Sequence, residues 1–273
     1  MWPDSYAPVV GSDRHGPGGR PHGSLWVGFH TAIATYGPIP SDPPSPLVSF
    51  NATTNPFPFS VKAAAQLLSS HGWEVVPGGT STCQHPGTGP AECGAGITAG
   101  EGISFNLDYQ AGVATVEGEM GDLAAQARQV GINLQLISHP FDTVISTATA
   151  CQPTQPTCNW TAENWGAGWI YGPDFLPTGE TLYYPGAVAN YGRYDDPQAN
   201  KLVAAAITAP PSQFQQAMTA YATYIEDQAP VVWGPTSIGT YQGDAGTLVA
   251  RNLGGYAANA LGYMNPEDLS FTR

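Results

Sequence analysis

Positive charge is scarce in this sequence. Only 8 residues are Lys or Arg against 21 Asp or Glu, leaving a net charge of −13 over 273 residues. Nucleic acid is held by clustered Lys and Arg that displace phosphate counterions; no such cluster exists, so nucleic acid is excluded as a partner. An anionic lipid surface is disfavoured for the same reason. Long apolar runs are also missing: the longest candidate, "LVAAAITA" at 202–209, falls far short of the roughly 18 residues of a membrane span. The opening "MWPDSYAPVVGSDRHGPGGRPHG" has neither the basic nor the apolar segment of an export signal.

Catalytic signatures are lacking too. No G-x-S-x-G elbow occurs, and "GPTSIG" has the wrong spacing for one. The glycine-rich "GPGGRP" and "GTGPAECGAG" do not lie between a strand and a helix at phosphate-binding spacing. The six histidines (His15, His22, His30, His71, His85 and His139) are scattered without a metal-binding motif, and "YDDPQAN" lacks the oxygen ligands of a calcium loop. No cofactor or metal is expected, and binding is favoured over catalysis.

What is present describes a globular chain. The hydrophobic share is 42% and the aromatic share 11%, enough for a sizeable core, while 33 Gly and 26 Pro predict long surface loops. The four cysteines form two local pairs, Cys83 with Cys93 around "QHPGTGPAE" and Cys151 with Cys158 around "QPTQPT". Neither has metal-knuckle spacing, so each is predicted to be a disulfide, which implies an oxidising compartment. An exported-looking body without an export signal leads to the expectation that the front of the protein lies elsewhere.

Periodicity gives the elements. Residues 1–35 show no hydrophobic period. The proline-rich "YGPIPSDPPSP" reads as an extended connector. Ser60 is placed to cap a helix with Val61, Ala64, Ala65 and Leu68 on one face, ending at Gly72. "ISFNLDY" (103–109) alternates as a half-buried strand; Val116, Met120, Leu123, Ala127 and Val130 follow at helical spacing, and "INLQLIS" (132–138) alternates again. Strand, helix and strand in that order predict a right-handed βαβ unit. Asp196 with Pro197 starts another helix with Leu202, Val203, Ala206 and Ile207 facing inward. Ser212 starts a further helix, with Phe214, Met218, Tyr221 and Ile225 as its stripe, and "APVVW" (229–233) is expected to return as a short buried strand. The class is α/β with a mixed sheet and long loops.

Taken in order, "KAAAQLLSSHGW", "GISFNLDY", "LAAQARQVGINLQLI", "GWIYGPDFLPTGETLY", "NYGRYDDPQANKLV" and "YIEDQAPVVW" resemble the family 5 extracellular solute-binding proteins of ABC importers, the peptide/nickel type. The match runs from Tyr36 to Arg273 and is to the C-terminal half of that family; "PDFLPTGETLY" and the cysteine loops resemble its actinobacterial branch. The resemblance implies a type II periplasmic-binding fold, of which residues 36–248 would form one solute-binding lobe. Residues 249–273 would return to a largely missing first lobe, and residues 1–35 would be an unmatched leader. It further implies a peptide or other small-molecule ligand, an ABC permease as partner, and a position outside the membrane, held through a lipid anchor in the full-length protein.

The site expected from this resemblance centres on "GWIYGPDFLPTG", residues 168–179. Peptide-binding members present a Trp and an Asp after a Gly-Trp pair, the Asp taking the peptide's ammonium; Trp169 and Asp174 stand in those places, at a wider spacing than in the enteric peptide binders. The residues support this independently, because a carboxylate screened by aromatics binds an ammonium more strongly than an exposed one, and flanking prolines reduce the ordering cost. Tyr171, Trp165 and Trp160 are further candidates for stacking on the ligand. The alternative structural role is a turn-capping Asp among core aromatics. Two other functions stay open at this point. A secreted glycosidase-type hydrolase would need two distant carboxylates facing each other at about 5–9.5 Å. A non-catalytic carbohydrate-binding module would need an exposed aromatic platform.

Overall fold

In the computed structural model, residues 36–39, 56–151, 158–166, 182–187 and 189–233 are described in full. Residues 32–33, 180–181, 236–237, 253–254 and 270–271 are described as backbone only.

The first helix, α1 (Val61–Ser70), starts where predicted: the Ser60 side chain accepts a hydrogen bond from the Ala63 amide at 3.1 Å. Ala64 and Leu68 are fully buried. At the other end the His71 ring bonds the Leu67 carbonyl at 2.9 Å, a structural role for this histidine. The short strands β2 (Trp73–Glu74) and β3 (Thr82–Cys83) pair antiparallel behind the helix.

Next come β4 (Ser104–Gln110), α2 (Ala114–Arg128), β5 (Asn133–His139), α3 (Phe141–Thr149) and β6 (Ala162–Asn164). All three strands are parallel and lie in the order β5-β4-β6, with Asp108 opposite both Ile137 and Glu163. The predicted βαβ unit is therefore present, and a second crossover adds β6 on the far side of β4. The two crossovers run in opposite directions, and the right-handed rule sends their helices to opposite faces. One face of the sheet, with Leu107, Tyr109, Leu134, Leu136 and Ala162, packs against Val116, Met120 and Leu123 of α2. The buried residues of α3, Val144 and Ala148, are absent from that cluster.

The amino ends of the strands meet a second core of Ala64, Leu68, Trp73, Cys83, Cys93, Ile103, Val130 and Ile132. Its polar centre is Ser81, which is fully buried. Its hydroxyl donates to the Val130 carbonyl at 2.7 Å and accepts from the Val76 amide at 3.0 Å; its amide donates to Gly131 at 2.7 Å. Gly131 has φ +73, and a Cβ there would run into the Ser81 hydroxyl and lie 2.5 Å from the Val76 carbonyl. Only glycine fits at this approach.

A third core belongs to the helices α4 (Glu180–Tyr183), α5 (Pro197–Thr208) and α6 (Pro211–Gln228). Asp196 caps α5, accepting from the Ala199 amide at 2.6 Å and from the Tyr224 hydroxyl of α6 at 2.9 Å, so one carboxylate ties both helices. Val203, Ala206, Tyr221 and Ile225 are fully buried between them. Ile207, expected inward, is exposed instead. The last helix begins at Pro211, before the expected Ser212, because a proline at the first turn needs no amide partner.

"APVVW" does not form the expected strand. Ala229 adopts φ 42 as the left-handed cap of α6, and Pro230 after it has no amide to join a ladder. The next strand is β7 (Thr236–Ser237), paired antiparallel with β1 (Ala32–Ile33), an element the sequence did not reveal. A last antiparallel pair is β8 (Leu253–Gly254) with β9 (Ser270–Phe271). The expected mixture of strand directions is thus divided between separate small sheets.

Both disulfides form as predicted. Cys83–Cys93 spans a Cα separation of 5.9 Å and Cys151–Cys158 one of 5.3 Å.

Candidate functional site

The order β5-β4-β6 makes the carboxyl end of the sheet the place to look for a site. The chain leaves β4 towards one side and comes back to it from the other, and open parallel sheets bind ligands outside the strand ends at such a reversal. Strand alternation decides which side chains arrive there. Ser104, Asn106, Asp108 and Gln110 stand on the face of β4 opposite Leu107, and register brings Glu163 beside Asp108.

Asp108 and His139 are hydrogen-bonded, Oδ1 to Nε2 at 2.9 Å, their side chains 14% and 35% exposed. Glu163 divides its two oxygens unequally. Oε2 accepts the indole N–H of Trp165 at 2.9 Å, whereas Oε1 is buried without a hydrogen-bond partner among the described residues. Burial holds the Glu163 carboxyl above the ordinary range; the Trp165 hydrogen bond opposes this, the Asp108 charge adds to it and His139 offsets part of it. Trp165 in turn lies against Tyr191, ring centroids 5.8 Å apart and tilted by 51°. Trp160, just ahead of β6, has a buried indole N–H with no hydrogen-bond partner, and its ring lies 4.0 Å from where a Cβ on Gly192 would sit. Both indoles therefore rest on the consecutive residues 191 and 192.

That support is held in place by its own bonds. Asn190 donates to the carbonyls of Tyr184 at 3.1 Å and Tyr194 at 2.8 Å and accepts from the Tyr194 amide at 2.8 Å. Arg193 adopts φ 54, and its guanidinium reaches the Cys151 sulfur at 2.9 Å, linking this turn to the second disulfide. Immediately beyond Trp165 the chain turns at Gly166, φ +70, whose amide bonds Asn164 Oδ1 at 2.8 Å. A Cβ on Gly166 would collide with the Gln110 side chain at the end of β4, so the turn can sit on the strand end only as glycine.

Of the residues singled out from sequence, Trp160 and Trp165 are brought together here. Trp169, Tyr171 and Asp174 lie outside the described residues. Sequence reasoning missed Asp108, His139, Glu163 and Tyr191. Asp108 was legible as a polar-face residue of an alternating strand, but its pairing with a histidine 31 positions away needs the strand register. Among the described residues no group of His, Cys, Asp and Glu is arranged to hold a metal ion, and no helix is long and apolar enough to cross a membrane.

The fold is an α/β architecture that solved oligopeptide-binding proteins share. Among solved structures it is similar to the oligopeptide-binding protein AppA from Bacillus subtilis in complex with a nonapeptide, at 17% identity and a TM-score of 0.65 over 99% of this chain and 47% of that one. It is similar also to the oligopeptide-binding protein from Thermus thermophilus complexed with a pentapeptide, at 16% identity and TM-score 0.63 over 98% of this chain and 42% of that one. A third likeness is to NikA from Staphylococcus aureus in complex with Ni(L-His)2, at 10% identity and TM-score 0.57 over 98% of this chain and 48% of that one. The chain thus spans a little under half the length of the proteins it resembles. No protein-family model matches the sequence, and no curated protein matches it.

Proposed function

We propose that this chain is the C-terminal solute-binding lobe of an ABC-importer binding protein of the family 5, peptide/nickel type, and that its ligand is a peptide. Residues 36–248 form the lobe, residues 249–273 lead back to a first lobe, and residues 1–35 precede both. The protein works outside the membrane, in the periplasm or at the cell surface, where two disulfides persist. It delivers its ligand to a permease, and in full-length form it is held there by a lipid anchor. Trp160, Trp165, Trp169 and Tyr171 stack on or bond the ligand, and Asp174 takes an ammonium group.

The observation that carries this reading is the carboxyl edge of the sheet. A reversal of strand order coincides there with a carboxylate acceptor, on Glu163, left unpaired among the described residues, and Trp160, just ahead of β6, holds a buried indole donor in the same state. A peptide offers both complements, carbonyl oxygens and N–H groups. The likeness to oligopeptide-binding proteins does not favour a paired-carboxylate hydrolase.

Titration with free-amine pentapeptides, followed by tryptophan fluorescence and calorimetry, tests the proposal. A saturable response is expected, weak because a single lobe encloses one side of the ligand only, and weaker in Asp174→Asn by a few kcal/mol as one partner of a screened charge pair is lost. No saturable response up to concentrations on the order of 10 mM would reject peptide binding by this lobe.

A further inference from the structure

Glu163 enters the reading above only as an open acceptor, yet it is an unusual carboxylate. Its strand-end position follows from the β4–β6 register, and one oxygen is spent on orienting Trp165. The other oxygen is buried and unpaired. Among the described residues no basic side chain is bonded to it: His139 is bonded to Asp108, and Arg193 reaches the Cys151 sulfur. A buried acceptor left without a donor costs about 1–3 kcal/mol, more when charged, and cores avoid such atoms unless something else completes them. The surroundings suit a cation in particular. Asp108 and Glu163 lie side by side across the register, and Trp165, packed against Tyr191, is bonded to Glu163 through its indole edge.

We propose that Glu163 binds a cationic group of the ligand, an ammonium or guanidinium, with Trp165 held by the same carboxylate as one wall of that subsite. The inference rests on the peptide reading for the identity of the ligand, but the subsite itself is defined by this chain's own residues. It makes the preferred cargo a positively charged peptide, with the cation supplied either by the amino terminus or by a basic side chain. The protein's large acidic excess favours approach of such a ligand.

The indole N–H of Trp165 reports directly on Glu163, so its nitrogen–proton NMR resonance in the whole chain is the readout. The probes are ethylammonium, pentaalanine with a free amino terminus, N-acetylated pentaalanine, and the N-acetylated peptide with a central Lys. The expected result is a saturable shift with the cationic probes and none with the neutral acetylated peptide. Glu163→Gln, which keeps an oxygen for the Trp165 bond, should weaken the cationic probes at least tenfold. A response to the free-amine peptide alone assigns the amino terminus to Glu163 in place of Asp174; a response to the lysine peptide alone assigns the side chain and leaves the terminus to Asp174. Both outcomes support the subsite. Equal shifts from neutral and cationic peptides in the wild type, a comparison that does not depend on the variant folding, would overturn it. So would affinities for cationic peptides that agree within twofold between the wild type and Glu163→Gln. If no peptide binds at all, the peptide reading fails, and ethylammonium decides the subsite alone: a shift lost in Glu163→Gln upholds it, and no shift rejects it.

Discussion

The two ends of the three-stranded sheet are built to opposite rules. At the amino end the buried Ser81 has its hydroxyl and its amide bonded within 3.0 Å, a disulfide stands behind it, and Gly131 lets backbones meet where no side chain fits. A neutral indole N–H, that of Trp73, is the buried polar atom left unpaired in that core among the described residues. At the carboxyl end a carboxylate oxygen is left unpaired, two acidic residues stand side by side, and aromatic rings rest on a loop clasped by Asn190. The same strands serve both ends, so the contrast is not one of fold quality. It separates polar groups satisfied by the protein from polar groups left open among the described residues, and open groups are what natural proteins keep mainly at functional sites.

Substitutions can break that contrast. The largest effect is expected from Gly131→Ala, which adds a left-handed backbone penalty to a collision with Ser81 and Val76; urea unfolding should show a loss of about 3 kcal/mol. A loss below about 1 kcal/mol would mean that the amino end is looser than its hydrogen bonds imply. Next comes the double replacement Cys83→Ser with Cys93→Ser, which opens a loop of sequence separation 10 and should cost about 2–3 kcal/mol in the same measurement.

The smallest effect has the opposite sign. Burial, opposed by Trp165 and aided by Asp108, raises the folded carboxyl of Glu163 above its free value, with His139 offsetting part of that rise. The stability this group contributes is therefore full below the unfolded pKa and is lost as pH rises through the folded one. Glu163→Gln removes that loss and should stabilise the protein at pH 7 by less than about 1 kcal/mol, because the group is partly open to solvent. The gain should vanish in acid, as thermal melts at the two pH values will show. A destabilised variant at pH 7 would assign Glu163 to the scaffold and erase the contrast.

Much of the scaffold was legible without coordinates. Ser60 and Asp196 announced their helices through cap chemistry, which depends on neighbours three residues away. Uninterrupted alternation announced β4 and β5, because a half-buried strand writes its two faces directly into the text. The misses share a cause. β6 has three residues, too few for any period to show, so Glu163 and Trp165 were not seen as neighbours on one face. Asp108 meets His139, and Trp165 meets Tyr191, only through register and loop packing, which are tertiary facts. Ala229 carries no sign of its left-handed turn; the following proline was the available clue, and the apolar run around it outweighed that clue. The aromatic stretch expected to hold Trp169, Tyr171 and Asp174 remains a reading of the sequence.

The parting of the chain at β4 has a further consequence. β5 and β6 pair with opposite edges of β4, and Val113, in the link after β4, belongs to the packed layer with Leu107, Leu134 and Ala162. Asp108 and Glu163 stand on the other face, where side chains can be exchanged while that layer stays as it is. What stands at that edge can therefore vary with no refolding of the body that carries it.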